Sequence, residues 1–208
     1  MKLILLIFLL TFLTCEKKSS NYNMSNIEFA EEMQTYYFEN ENMVFSLNAR
    51  RMQKETQNIN LNISHNFFCV DEDYFYTDSI YKILDSIFLK LNEQTFSEII
   101  NFSSGVSLDY FEDNNKLSFN IKSNEAVQYV EKDLIHLKNN VVISSPNNRS
   151  LHTNNLFWDS YNQVMWTYDS IIVKNIDTIQ GRGCGLFSFD NLNNFKTFGV
   201  KGKVNLED

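Results

Sequence analysis

The stretch Val106-Ser107-Leu108-Asp109-Tyr110-Phe111-Glu112-Asp113-Asn114-Asn115-Lys116-Leu117-Ser118-Phe119-Asn120-Ile121 decides the fold class. Val106, Leu108 and Tyr110 alternate with polar residues, and Leu117, Phe119 and Ile121 do the same. A period of two is the signature of a half-buried strand, and a polar turn separates the two runs. The unit therefore reads as strand, turn, strand. An earlier copy is present. Tyr37-Phe38-Glu39-Asn40 precedes Phe45, Leu47 and Ala49, just as Tyr110-Phe111-Glu112-Asp113 precedes Phe119, Ile121 and Ser123. Each copy has its own approach strand, Met33 to Tyr36 and Val106 to Asp109. A repeated hairpin predicts strands stacked along one axis, each burying one face against the next.

Outward from these hairpins the strand rhythm continues. Asn60, Asn62 and Ser64 alternate with Leu61 and Ile63. Val141 and Ile143 alternate, and Pro146-Asn147-Asn148 reads as a turn. Further strands are expected at Val164-Trp166-Tyr168, Ile171 to Val173, Ile176 to Ile179 and Phe195 to Leu206. Turn signals recur about every 8–12 residues, the spacing of an all-β sandwich, barrel or roll. One segment departs. Over residues 78–100, Ile80, Ile83, Leu84, Ile87 and Leu91 fall at helical spacing, with Asp78 or Ser79 as N-cap. That stripe predicts a packing helix, not a cofactor box.

The composition fits one domain. The chain has 208 residues, 43% of them hydrophobic, which gives a sizeable core and argues against disorder. Its net charge of −8 speaks against a nucleic-acid surface, because phosphate binding needs clustered Lys and Arg. One Pro and six Gly exclude collagen-like and linker-rich architectures. Asn occurs 28 times, a bias read as that of an AT-rich genome and carrying little chemistry.

The N-terminus reads as an export signal. Met1-Lys2 is a short positive start, and Leu3 to Leu13 is apolar apart from Thr11. This run is about half the length of a membrane-spanning helix and suits a secretory signal. Phe12-Leu13-Thr14-Cys15 resembles a bacterial lipobox, although Thr14 and Phe12 depart from its usual residues. Cys15 is the lipidation candidate, with an ordinary cleaved signal or a short uncleaved anchor as the other reading. Residues 1–14 are thus the signal, 15–26 a polar tether and 27–208 the folded domain, with a helical insertion at about 72–100. Cys69 and Cys184 remain, either as one disulfide or as two buried thiols.

Catalytic patterns are missing. His65, His136 and His152 have no motif around them. No G-x-S-x-G, H-E-x-x-H, Walker loop or Cys/His cluster occurs, so neither a metal nor a cofactor is expected. Gly181-Arg182-Gly183-Cys184-Gly185 lacks the spacing of a phosphate cradle. It reads as a bend or a close backbone approach in a strand. What stands out is an apolar and aromatic alternating face that includes Trp158 and Trp166. Alternation alone does not separate a closed core from a groove for acyl chains.

The second half carries a family resemblance. Asn140-Val141-Val142-Ile143 is followed by Leu151-His152-Thr153-Asn154-Asn155-Leu156-Phe157-Trp158-Asp159, then by Ile176 to Gly183, then by Phe198-Gly199-Val200-Lys201-Gly202-Lys203-Val204. These four pieces, in this order, resemble the LptC family of the lipopolysaccharide export machine. The hairpin at Gly105 to Tyr129 and the one at Ile27 to Met52 resemble the family's preceding hairpins. The helical stretch 72–100 departs from that pattern, in which a shorter, less helical segment joins the two hairpins. The lipoprotein-like start is similar to that of LptC-type proteins of the Bacteroidetes group.

The resemblance implies an all-β fold, an open antiparallel β-jellyroll (a β-taco, LptC/OstA-like) with one inserted helix. It implies a non-enzymatic lipid-transfer bridge of outer-membrane biogenesis, anchored on the periplasmic side of the inner membrane. Such a bridge accepts lipopolysaccharide from the inner-membrane ABC transporter, LptBFG, and passes it to a periplasmic LptA-like protein. On this reading the groove candidates are Phe45, Leu47, Leu108, Phe119, Ile121, Val141, Ile143, Leu156, Trp158, Val164 and Trp166. The last strand, with Phe198, Val200, Val204 and Leu206, is the candidate partner edge. Two other readings stand beside it. One is a lipoprotein that binds glycan or protein through a closed β-sandwich, and the other is an enzyme with an unrecognised site.

Overall fold

A computed structural model describes residues 28–39, 41–61, 63, 79–112, 115–175, 178–189 and 194–202. Among the described residues ten strands, one α-helix and a short 3-10 turn (Val130–Lys132, between β5 and β6) follow in order: β1 (Glu28–Glu39), β2 (Asn42–Ile59), α1 (Ser79–Asn92), β3 (Thr95–Glu112), β4 (Lys116–Ser123), β5 (Glu125–Tyr129), β6 (Leu134–Ser144), β7 (Arg149–Asp159), β8 (Val164–Asn175), β9 (Thr178–Phe189) and β10 (Asn194–Gly202). All pair antiparallel in a single sheet of order β1-β2-β3-β4-β6-β7-β8-β9-β10. β5 continues β4 after Asn124 and pairs with the same neighbours, β3 and β6.

The two repeated hairpins have the same construction. Tyr37 pairs with Phe45, and a bulge follows between Tyr37 and Phe38. Tyr110 pairs with Phe119, and a bulge follows between Tyr110 and Phe111. The hairpins lie side by side, since Phe45 also pairs with Tyr110. Their turns are tied together, with the Met43 amide donating to Asn115 Oδ1 at 2.9 Å. The sequence repeat is thus a structural repeat with a shared register.

A crease runs across the strands at one level. Glu32 (φ 50°) stands opposite Arg50, where the β2–β3 register shifts. Ser104 (φ 66°) and Gly105 (φ 99°) lie next to them. The Gly105 amide donates to the Asn124 carbonyl at 3.0 Å, and the Asn124 amide donates to the Asn139 carbonyl at 2.9 Å. Asn139 and Asn140 are both left-handed, and the register then breaks between His152 and Phe157, between Thr167 and Ser170, and around Gly185 (φ 76°). Bulges and left-handed residues bend strands and increase their twist. Aligned across a whole sheet, they fold it over on itself. Buried hydroxyls meet part of the hydrogen-bonding need at the break: Thr153 and Thr167 lie 3.4 Å apart, and the Asp169 amide donates to Thr167 Oγ1 at 3.1 Å. The remaining left-handed residues, apart from Asp133 and Gly199, mark the hairpin turns: Glu41, Asn115, Asn148 and Gln163. Asn is the non-glycine residue best suited to this conformation. Part of the Asn content is therefore structural. The Gly-rich run at 181–185 lies in β9 and supplies a bend at Gly185, as expected.

Folding the sheet encloses a core between its halves. On one side of the crease, Leu47, Leu108, Ile121 and Ile143 form a continuous cross-strand row. On the other, Met52, Phe102, Ala126, Leu137 and Leu156 form a second. Both rows belong to one cluster, in which Leu108, Ile121, Leu137 and Leu156 are inaccessible to water. Burying such side chains contributes roughly 1.5–3 kcal/mol each.

A second, smaller core lies on the opposite face. Leu134, Val164, Trp166 and Phe187 alternate with inward residues and pack under Ile87, Phe88 and Leu91 of α1. β8 is covered on both faces at this point, so Val164-Met165-Trp166-Thr167 is buried without interruption. The helix is pinned at its end. Lys132 donates to the carbonyls of Lys90 at 2.7 Å and Glu93 at 2.8 Å, the last-turn acceptors that a helix leaves unpaired. The Asn92 side chain accepts from the Ile63 amide at 2.7 Å and donates to its carbonyl at 2.8 Å.

Two boundaries differ from expectation. The alternation at 60–64 is not strand in its described part: β2 ends at Ile59, and Ile63 turns under the helix. Asn92 takes the place of a neighbouring strand there. The helical segment also ends earlier than residue 100, because Thr95 to Ile100 already pair with β2 in β3. Its apolar residues Ile99 and Ile100 fit either period. Residues 1–27 and 64–78, including the signal, Cys15, His65, Cys69 and Asp78, lie outside the described residues.

The crease makes a direct prediction. Gly105 sits at φ 99° with open space where a Cβ would stand. Gly105→Ala meets no clash, so its cost is backbone strain alone, about 1–2 kcal/mol. Urea unfolding would show this as a lower midpoint at unchanged slope. An unchanged midpoint would mean that the crease does not need a left-handed residue there.

Candidate functional site

The inner face of the folded sheet holds most of the groove candidates. Leu47, Leu108, Phe119, Ile121, Val141, Ile143, Leu156 and Trp158 are buried in the main cluster, and Phe45 packs against it half-buried. They come from five strands, β2, β3, β4, β6 and β7, with the crease between them. Val164 and Trp166 do not join this group. They lie on the other face, where Trp166 stacks on Phe157 (5.3 Å) and meets Phe88 of α1 edge-on (5.5 Å). A period of two identifies two faces but not which one closes on which core.

One end of the interior is aromatic. Tyr37 stacks on Phe45 at 5.2 Å, and Tyr110 stacks on Phe119 at 4.9 Å. The four rings make one row across β1, β2, β3 and β4. Trp158 reaches them from the opposite half, edge-on to both Phe45 (5.9 Å) and Tyr110 (6.2 Å). Tyr37 and Tyr110 were legible as repeat positions but were not read as part of the lining. Their pairing with Phe45 and Phe119 in the repeat was the available signal.

The outer face of the same strands is polar. Asn120 donates to Asp109 Oδ1 at 2.6 Å and to Ser107 Oγ at 2.9 Å. Ser46 donates to Asp109 Oδ2 at 3.4 Å. A shallow groove of about 820 Å³ follows the crease, with Glu32, Arg50, Ser104, Lys122 and Glu125 on its walls. In β2, β3 and β4 the apolar side chains thus face the interior and the hydrogen-bonding groups face outward.

The sheet ends in two edge strands. β1 carries Glu28, Glu31, Glu32 and Glu39, whereas β10 carries Lys196 and Lys201. Phe198 and Val200 lie in β10, where Phe198 is in register with Cys184. Val204 and Leu206 lie outside the described residues. Cys184 is disulfide-bonded, and Cys15 and Cys69 both lie outside the described residues.

The structure also places two of the histidines. His152 Nε2 is 3.0 Å from Ser150 Oγ. His136 stacks on Phe157 at 4.0 Å and pairs with Asn155 Oδ1 at 3.0 Å, while Asn155 donates to Asp169 Oδ2 at 2.7 Å. Burial pushes the His136 imidazole down to about 4, with Lys138 adding to the effect and Asn155 and Asp169 opposing it. Among the described residues no group of His, Cys, Asp and Glu is arranged to hold a metal ion. No helix among them is long and apolar enough to cross a membrane.

His136 sets a pH dependence. Its folded pKa lies below the unfolded value, so the unfolded chain binds the extra proton first. The stability associated with neutral His136 is complete above about pH 6.5 and is lost progressively down to about pH 4, a difference of about 2–3 kcal/mol. Urea midpoints measured from pH 7 to pH 4 should fall, and His136→Phe should flatten that part of the curve. An equal slope in the variant would assign the loss to other groups.

Comparison with known proteins adds one finding. No curated protein matches the chain. Residues 100–196 match the family model described as "LptC: Lipopolysaccharide-assembly, LptC-related". The matched segment begins within β3 and reaches the start of β10, leaving out the first hairpin and α1. It contains the Leu151 to Asp159 strand, which delivers Leu156 and Trp158 to the interior. There Asp159 closes the next turn by accepting from the Asn162 amide at 2.9 Å and from its side chain at 2.7 Å. With its folded antiparallel sheet, the segment 100–196 is similar to the LptC-related family of lipopolysaccharide-assembly proteins.

Proposed function

We propose that this chain is a periplasmic bridge that carries lipopolysaccharide between two other components of the export machine. The acyl chains lie between the halves of the folded sheet, against Phe45, Leu47, Leu108, Phe119, Ile121, Val141, Ile143, Leu156 and Trp158. Removing apolar surface from water contributes about 25 cal/mol per Å². Sugars and phosphates stay on the wet side. Transfer of this kind breaks no covalent bond and uses no cofactor. The observation that carries the reading is that β2, β3 and β4 turn apolar side chains inward and polar ones outward within one continuous sheet that has an edge strand at each end.

On this reading the lipid arrives from the inner-membrane ABC transporter, LptBFG, and leaves to an LptA-like protein. Edge strands offer unpaired backbone groups, so a partner sheet is continued by strand addition. β10, with Phe198 and Val200, is the proposed edge for the LptA-like partner, and its lysines favour an acidic partner strand. A lipid on Cys15 would tether the domain to the periplasmic side of the inner membrane through residues 15–26.

One observation favours a different reading. The inner face is packed with the protein's own side chains, as in a closed β-sandwich that binds protein or glycan at its surface. Lipopolysaccharide binding by the purified chain separates the two. Phe119→Ser places a hydroxyl in the buried row and should weaken binding at least about tenfold, in line with a lost apolar contact of 1.4 kcal/mol or more. A folded Phe119→Ser variant that binds at full strength would remove the lipid reading. Truncation before Phe198 should keep lipid binding and lose capture of the LptA-like partner. Capture that survives truncation would exclude β10 as the edge.

A further inference from the structure

The interior is filled at the point where the aromatic row meets the opposite half. Trp158 lies in the cross-strand row Ile100, Gln128, Ile135, Trp158, Met165. Its indole projects across the core and ends edge-on against Phe45 and Tyr110, at interplanar angles of 76° and 89°. Only 2% of Trp158 is exposed. The four-ring row runs inward from the edge strand: Tyr37 is 48% exposed, Phe45 and Tyr110 are half-buried, and Phe119 is 3% exposed. An acyl chain that enters along these rings meets the indole, and it occupies the interior only by taking the volume that the indole holds.

From this geometry the structure assigns Trp158 as the positioning residue that controls acyl-chain entry. It closes the empty interior and swings aside when a chain enters. The assignment rests on the lipid-carrying reading above. The contacts suit such an exchange. Edge-to-face pairs are individually weak, and an aliphatic chain laid on the same ring faces replaces much of what they provide. The leucines around Trp158 project from one half or the other and fill less of the space between them. Trp158 is the largest side chain in this core and bridges both halves. Its role differs from that of Trp166, which is held under α1 on the far side of the sheet.

The two tryptophans make the test internal to the protein. The probe is dodecanoate carrying bromine at its methyl end, which quenches indole fluorescence on contact. Trp166→Phe leaves Trp158 as reporter, and its emission should be quenched. Trp158→Phe leaves Trp166, whose emission should not change. Calorimetry then measures affinity for the same probe. Trp158→Leu removes both edge-to-face contacts and should bind about tenfold more tightly, whereas loss of a merely structural residue would weaken binding. Should Trp158→Leu fail to fold, Tyr110→Leu loosens the same closure from the other half and should shift affinity in the same direction. No heat and no quenching in the Trp166→Phe protein would defeat the lipid reading itself. Binding without quenching of Trp158, or folded variants with unchanged or weaker affinity, would overturn the assignment of Trp158 alone.

Discussion

The structure depends on a bend placed at the same level in strand after strand. Glu32, Ser104, Gly105, Asn139, Asn140 and Gly185 adopt left-handed backbone conformations, and the ladder shifts register beside them. A flat sheet of this size would leave one apolar face in water. The crease brings Leu47, Leu108 and Ile121 against Leu137, Leu156 and Trp158, so a single sheet supplies both walls of its own core. The arrangement leaves the first and last strands as edges and turns the apolar row of β2, β3, β4 and β6 inward, two conditions that a lipid carrier built for strand addition has to meet.

The helix modifies this plan without entering it. α1 packs on the outer face of the β6–β9 half and is held by Lys132 and Asn92, away from the main core. Its presence explains why the start of β8 is covered on both faces. The inner face keeps the same walls with the helix in place. The family match begins beyond α1, within β3, so the helix and the first hairpin lie outside the segment that is similar to the family.

Much of this was legible in the sequence, for physical reasons. The period of two fixed the strands, and the repeat around Tyr37 and Tyr110 anticipated two hairpins of the same kind, whose common register the structure adds. Other features were out of reach. Alternation does not say which face meets which core, so Val164 and Trp166 were grouped with the lining although they face α1. Leu61 and Ile63 alternate like strand residues, yet Ile63 is bound by the Asn92 side chain, a contact 29 residues away in sequence. The Asn-rich composition looked like background, but Asn139 and Asn140 stand at the crease and Asn115 and Asn148 at turns. A left-handed backbone is specified by neighbours in the sheet as much as by the residue itself.

The central claim is that lipid passes between the two halves of the sheet. It is tested most directly in cells by replacing Phe119 with a photoreactive residue and blotting for lipopolysaccharide after irradiation. The account predicts an adduct that forms only while the export ATPase is active. A folded, abundant protein with no adduct would contradict it, and the inner face would then be a core and nothing more.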